Sequence, residues 1–232
     1  MKRLLISIIA LTASAAAFAQ NIEFLDPYCK EICVKYFDAD SDGEISMAEA
    51  AAVKDIKKSF FRSNVVSFDE FRYFTSVTKV PTMAFRGSAL QSITIPESVT
   101  EIGKGAFADC ASLSSVNLPS GLKSIEDTAF SGCTSLASVS IPAEVTLIGY
   151  QAFGGCAALT SLTVPASIDM LGDDAFFGTG IVTLTVKAKK VPSCPALSLP
   201  KSVREIIVPK SSLSSYKTEE GWENFASLIK GE

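Results

Sequence analysis

The densest set of potential ligand atoms in this sequence lies in residues 38–49, which read DADSDGEISMAE. Carboxylates stand at its first, third, fifth and last positions, and a glycine stands at the sixth, where a sharp turn is needed. Ca²⁺ is a hard cation that prefers carboxylate and carbonyl oxygens. We therefore predict a site for one calcium ion, with the following ligands: Asp38, Asp40, Asp42, the backbone carbonyl of Glu44, Ser46 through a water molecule, and Glu49.

This spacing resembles the EF-hand loop, and the flanking segments fit a helix–loop–helix unit. Helices are predicted over Tyr28–Phe37 and Glu49–Lys58. Residues 59–70 resemble a degraded partner hand that lacks the first carboxylates and binds no metal. Its Val66 is predicted to form a short β-bridge with Ile45. The alternative for the first loop is an acidic turn that matches the pattern without binding an ion.

Six cysteines are the next candidates for chemistry. Cys110, Cys133 and Cys156 recur every 23 residues, so we predict that they fill equivalent inward positions of successive coils. Equivalent side chains point in parallel, whereas a disulfide needs a dihedral angle near ~90°. We therefore predict buried free thiols at these positions. Cys29 and Cys33 have the spacing of core residues on a helix, and no partner is predicted for Cys194.

The sequence has no histidine, which excludes the Ser–His–Asp and Cys–His arrangements of nucleophilic catalysis. It also contains no phosphate-binding glycine motif, and the adjacent Asp173 and Asp174 are interpreted as solvated acids. We predict that the protein is not an enzyme. The net charge is −4 without a basic run, so we expect no nucleic-acid partner.

Residues 1–19 have the features of an export signal. Lys2 and Arg3 precede an apolar run over residues 4–11, and small residues follow up to Ala19. The apolar run is too short to span a bilayer, and no other segment is predicted to do so. We therefore expect a secreted or cell-surface protein without a membrane span after removal of the signal, with the periplasm as a further possible destination.

The central part of the chain repeats with a period of about 23 residues. Successive units begin at Leu90, Leu113, Leu136 and Leu159, and shorter ones follow from Ile181 and Val203. The first unit reads LQSITIPESVTEIGKGAFADCAS. Its apolar positions alternate as in a strand, continue as a second inward stretch and end in an Ala-Phe pair on a tight turn. One unit cannot bury this face alone, so the units must stack.

This signature is similar to that of the BspA-like leucine-rich repeats of bacterial surface proteins. The resemblance covers about residues 74–232 and implies a β-rich repeat solenoid of about 23 residues per coil. The acidic loop and its flanking segments add a small α-helical, EF-hand-like N-terminal cap to this prediction, and the C-terminal stretch adds a helical cap. The predicted boundaries are: 20–73, N-terminal cap; 74–89, a truncated capping repeat; 90–208, the leucine-rich-repeat solenoid; 209–232, the C-terminal cap. In the C-terminal cap, Trp222, Phe225 and Ile229 have helical spacing, and Tyr216 and Trp222 are predicted to be buried.

The outward strand positions form the candidate binding face. They carry small polar residues in register: Ser92, Thr94, Ser115, Asn117, Ser138, Ser140, Ser161 and Thr163. The resemblance implies a surface protein that adheres weakly to host or microbial surface proteins. The alternatives are an envelope scaffold without a ligand of its own and a carbohydrate-binding accessory protein, since hydroxyl-lined grooves suit glycans.

Overall fold

A computed structural model of the chain describes residues 20–194 and 199–232. The predicted export signal at residues 1–19 lies outside the described residues. Within these ranges, three short α-helices occur: α1 (Pro27–Phe37), α2 (Met47–Ala52) and α3 (Leu213–Thr218). Among the described residues, no helix has both the length and the apolar character that a bilayer crossing requires.

Short parallel strands form two rows along the stack. One row contains β1 (Ser67–Phe68), β3 (Ser92–Thr94) and β5 (Ser115–Asn117), then β8 (Ser161–Val164), β10 (Thr183–Val186), β11 (Glu205–Val208) and β12 (Ile229–Gly231). A second row contains β2 (Lys79–Val80), β4 (Glu101–Ile102), β6 (Ser124–Ile125), β7 (Leu147–Ile148) and β9 (Met170–Leu171). Neighbouring strands of a row pair in parallel across successive coils, as a stacked repeat requires, except that among the described residues no strand joins β5 to β8.

The core lies between the two rows, and its residues repeat from coil to coil. The side chains of Ile102, Ile125, Ile148 and Leu171 align in one buried column along the second row. A column of buried phenylalanine rings runs beside it, with centroid distances from 5.1 to 6.4 Å: Phe85, Phe107, Phe130, Phe153 and Phe176. The predicted inward positions are therefore confirmed for these two columns.

The stack begins earlier than residue 74, where the first capping repeat was predicted. Strand β1 pairs with β3, which places Phe68 beside Ile93. Residues 65–89 therefore form a first coil, and Ser88 lies against Cys110 with its Oγ 3.4 Å from the sulfur. The first coil departs from the regular period in this part. Thr94 contacts Asp69 at a separation of 25 residues, two more than the period of the later coils.

The predicted bridge between Val66 and Ile45 is wrong. The backbone N–H of Ile22 donates to the carbonyl of Ile45 over 2.7 Å, and Asn21 pairs antiparallel with Ser46. Val66 instead belongs to the first coil, where its carbonyl accepts the N–H of the next coil's Gln91. Residues 59–70 are therefore not the second half of a paired hand.

The helix after the acidic loop is shorter than the predicted Glu49–Lys58. It ends at Ala52, because Val53 adopts an extended conformation (φ −66°, ψ 122°). Beyond it, the Asp55 carboxylate accepts the backbone N–H of Lys57 and forms a turn that competes with the helix.

The C-terminal cap contains less helix than its spacing predicts. Helix α3 ends before Trp222, and residues 223–225 form a 3₁₀ turn. Ile229 begins β12, which pairs in parallel with β11 because the last coil offers an unpaired strand edge. Tyr216 and Trp222 are buried as predicted, and each donates a hydrogen bond to a backbone carbonyl.

Candidate metal centre and strand face

The acidic loop brings its carboxylates together at the C-terminal end of α1. Asp38 is the C-cap residue of this helix. One carboxylate oxygen each from Asp38, Asp40 and Asp42 lies within 4.8 Å of the others. Asp40 and Asp42 are exposed, and Asp38 is half-buried. This arrangement gathers oxygen donors at one point, although like charges repel one another there.

Hydrogen bonds from the loop backbone fix these carboxylates. Asp38 accepts the N–H groups of Ser41 at 2.6 Å and Gly43 at 2.9 Å. The hydrogen bond from Gly43 is the main cause that lowers the pKa of Asp38. Gly43 has φ of +85°, a left-handed conformation that glycine adopts without strain. The Asp42 carboxylate in turn accepts the N–H of Glu44 over 2.8 Å.

Glu49 folds back over the loop from the first turn of α2. Its carboxylate accepts the N–H of Ala39 over 2.7 Å with one oxygen and the N–H of Ser46 over 2.8 Å with the other. The Glu49 N–H in turn donates to the Ser46 hydroxyl oxygen over 3.2 Å, which completes a capping box. Burial alone raises the pKa of Glu49, but these hydrogen bonds outweigh it and lower the pKa.

The predicted metal ligands therefore converge to different degrees. The three aspartates cluster, and Glu49 and Ser46 contact each other, while the Glu49 carboxylate also accepts the backbone N–H of Ala39 between two of the aspartates. The Glu44 side chain points elsewhere, to a 2.6 Å salt bridge with Lys30, which is compatible with a role for its carbonyl alone. The donor set is entirely oxygen, and concentrated negative charge of this kind fits a hard divalent cation.

Polar side chains line the candidate binding face as predicted from the strand alternation. Ser115, Asn117, Ser161 and Thr163 are exposed, while Ser92 and Thr94 are half-buried. In the first coils, side chains of successive strands form hydrogen bonds with one another. The Asn117 amide donates to the Thr94 hydroxyl over 3.3 Å, and the Thr94 hydroxyl donates to the Asp69 carboxylate over 3.2 Å. Part of the hydrogen-bonding capacity of these side chains is therefore used within the face itself.

The row of strands that forms this face is interrupted in the third full coil, which begins at Leu136. Residues 137–141 carry the repeat signature but form no strand, and among the described residues the first row is interrupted between β5 and β8. Val139 and Ile141 are only partly buried there. A groove of about 530 Å³ opens at this point, lined in part by Ser138, Ser140, Ser161, Thr163 and Lys187. Sequence reasoning identified the hydroxyl groups but gave no signal for the groove or for Lys187.

Cys110, Cys133 and Cys156 form a buried thiol ladder without a disulfide. Each sulfur donates to the carbonyl of an earlier phenylalanine over 3.0 to 3.2 Å. Burial raises the pKa of Cys156 to about 12, and it also raises the pKa of the other two thiols. The prediction of buried, inward free thiols at these positions is confirmed.

A family model described as "BspA type Leucine rich repeat region" matches residues 20–189 in six copies, which is more than half of the chain. The chain belongs to this family. The match supports an interaction role, since leucine-rich repeats serve protein–protein contacts, and BspA-type proteins are typically secreted or surface proteins of bacteria. It is a family defined by its repeat rather than by a reaction.

Solved structures of leucine-rich-repeat proteins are similar to this BspA-type chain. A leucine-rich-repeat protein of T. pallidum is 27% identical with a TM-score of 0.48, over 67% of this chain and 79% of that one. A protein of Bacteroides ovatus is 24% identical with a TM-score of 0.47, over 66% and 48% of the two chains. A leucine-rich cell surface protein of Faecalibacterium prausnitzii is 28% identical with a TM-score of 0.43, over 60% and 41%. No curated protein matches the chain.

Proposed function

We propose that this chain is an exported, non-enzymatic interaction module that adheres weakly to host or microbial surface proteins. Its strand face supplies the contact, and one calcium ion in the acidic loop stabilises its N-terminal cap. The proposal includes removal of residues 1–19 during export, after which the protein is secreted or held at the cell surface.

The observation that carries the interaction role is the groove at the third and fourth full coils. It combines exposed hydroxyl groups, the partly buried apolar side chains of Val139 and Ile141, and the cation of Lys187. Apolar contact with a few convergent polar groups is the usual chemistry of a recognition site. The rest of the face has no aromatic or arginine anchor, so weak binding is expected from it.

We further propose that the acidic loop acts as a single EF-hand. Asp38, Asp40, Asp42, the Glu44 carbonyl and Glu49 would hold the ion, with Ser46 acting through water. Bound calcium would supply positive charge that offsets the repulsion among the clustered carboxylates.

The cap that this loop would stabilise is firmly joined to the first coil. The buried Asp26 carboxylate caps α1 by accepting the N–H of Cys29, and its other oxygen accepts the N–H groups of Val66 and Ser67. Glu70 accepts the N–H of Leu25 over 3.1 Å. Ordering the loop therefore supports the end of the solenoid, which makes calcium a structural ion in this proposal.

A pull-down with matched variants tests the interaction role. Immobilised protein is exposed to solubilised host matrix and to microbial surface fractions, and bound proteins are identified by mass spectrometry. Ser140→Arg and Thr163→Arg, which crowd the groove, are expected to reduce capture of the same partner. Ala111→Arg, at an exposed position outside the strand face, should leave capture unchanged. Equal capture by all variants would rule out the groove as the contact.

A further inference from the structure

A second recessed site lies where the N-terminal segment meets the first coil. This polar cavity has a volume of about 460 Å³ and is separate from the groove on the strand face. Three carboxylic acids contribute to its walls, namely Glu23, Asp69 and Glu70. Among the described residues that line the cavity, Arg72 is the cationic one. The charge of the cavity therefore favours a positively charged occupant.

Glu70 is the most unusual residue of this cavity. It stands two positions after Phe68, where the next coil has the buried Ile95, and it is 3% exposed. One carboxylate oxygen accepts the N–H of Leu25, but the other, Oε2, is buried without a hydrogen-bond partner. A buried carboxylate oxygen without a partner is costly, and a cation would satisfy it.

Arg72 does not neutralise the acids of the cavity. Its guanidinium donates to the backbone carbonyl of Asp69 over 2.7 Å and to the hydroxyl of Tyr73 over 3.0 Å, and it stacks 4.6 Å from the Tyr73 ring centroid. Within residues 20–194 and 199–232, the salt bridges involve none of the three acids. The cavity wall therefore keeps an excess of negative charge, and none of its acids is ion-paired within the part of the chain that the structure describes.

The geometry distinguishes among cations. In the described residues, only the loop aspartates bring three acidic ligand atoms within 4.8 Å, so the cavity acids are too dispersed for a compact metal site. A guanidinium binds best to two oxygens of one carboxylate, yet Glu70 has a single oxygen without a partner. A primary ammonium carries three N–H donors that can reach separate acceptors.

We propose that this cavity binds a primary ammonium group, as presented by a lysine side chain of a partner protein. The cavity is a contact point separate from the strand-face groove. The partner residue that it would bind is a lysine. Gln20 also lines the cavity, so the α-amino group that export would create there is a second source of the same chemistry.

Nuclear magnetic resonance titration of residues 20–232 in saturating calcium tests this proposal. The probe is Nα-acetyl-lysine N-methylamide, and the readout is the amide signal of Leu25, which donates to Glu70. We expect a saturable shift of this signal, and roughly tenfold or greater weakening in Glu70→Gln, which keeps the acceptor for Leu25. Asp69→Asn should also weaken binding, and it serves if Glu70→Gln fails to fold. Glu31→Gln, an exposed acid elsewhere in the cap, should bind as the unsubstituted protein does.

Two further probes and one chemical modification complete the test. The ε-acetylated lysine probe should give no shift, and the corresponding arginine probe should bind more weakly than lysine. Equal binding of all three probes, or no effect of Glu70→Gln and Asp69→Asn, would overturn the proposal. The lysine titration is then repeated with the Gln20 amino group acetylated. Equal affinity before and after acetylation supports a partner lysine. Binding only after acetylation would show that the chain's own amino group occupies the cavity, and it would overturn the assignment to a partner.

Discussion

Removal of one ring from the phenylalanine column tests the stacking of the coils quantitatively. Phe130 is fully buried, with ring centroids of Phe107 and Phe153 at 5.2 and 5.4 Å and planes within 7° of parallel. Replacing a buried phenylalanine by alanine costs about 3–5 kcal/mol, and each ring pair contributes about 0.5–1.5 kcal/mol of such a loss. Phe176 is equally buried but has one ring neighbour in the column, at 6.4 Å.

We therefore expect Phe130→Ala to lower the free energy of unfolding by about 4 kcal/mol, and Phe176→Ala by about 1 kcal/mol less. Equilibrium urea unfolding measures both, with circular dichroism and the fluorescence of the single buried Trp222 as probes. Coincident transitions are required before the free energies are compared, because repeat arrays can unfold in parts. A loss for Phe176→Ala as large as that for Phe130→Ala would refute the reasoning from ring neighbours.

Two further predictions concern the buried positions of the coils. The thiol ladder should resist iodoacetamide at pH 8 and react only after denaturation, which mass spectrometry would detect; labelling of the folded protein would contradict the inward register. Gly149→Ala should destabilise by roughly 1–3 kcal/mol, because a Cβ there would lie 2.5 Å from the backbone nitrogen of Asp127 in the preceding coil. Gly121→Ala, with nothing within 4 Å of the added atom, should show no such loss in thermal melts.

The regular coils could be predicted from sequence because each inward position is set by the same physical demand in every unit. Leucine, isoleucine and phenylalanine recur where the stack excludes water, and the cysteines recur with them. The register confirms this spacing, since Asn117 contacts Thr94 at a separation of 23 residues. The loop residues from Asp38 to Glu49 were also identified by spacing alone, and the structure brings the three aspartates together.

The ends of the stack could not be predicted in the same way. The first coil has Glu70 at an aliphatic position and Ser88 at a cysteine position, so its pattern is obscured although its strand pairs normally. At the other end, helical spacing around Ile229 is overridden by the open strand edge of the last coil. The loss of the strand at residues 137–141 has no counterpart in the sequence, and nothing in the structure explains it.

The most direct test of the account is the effect of calcium on thermal stability. An ion that binds only the folded state adds RT ln(1 + [Ca]/Kd), about 1.4 kcal/mol at ten times Kd, which raises the Tm of a chain this long by about 3–6 °C. We predict this rise between chelator and excess calcium, its loss in Glu49→Gln, and its persistence in Glu70→Gln, which lies outside the loop. An unchanged Tm of the unsubstituted protein, or an equal rise in Glu49→Gln, would contradict a calcium-stabilised cap.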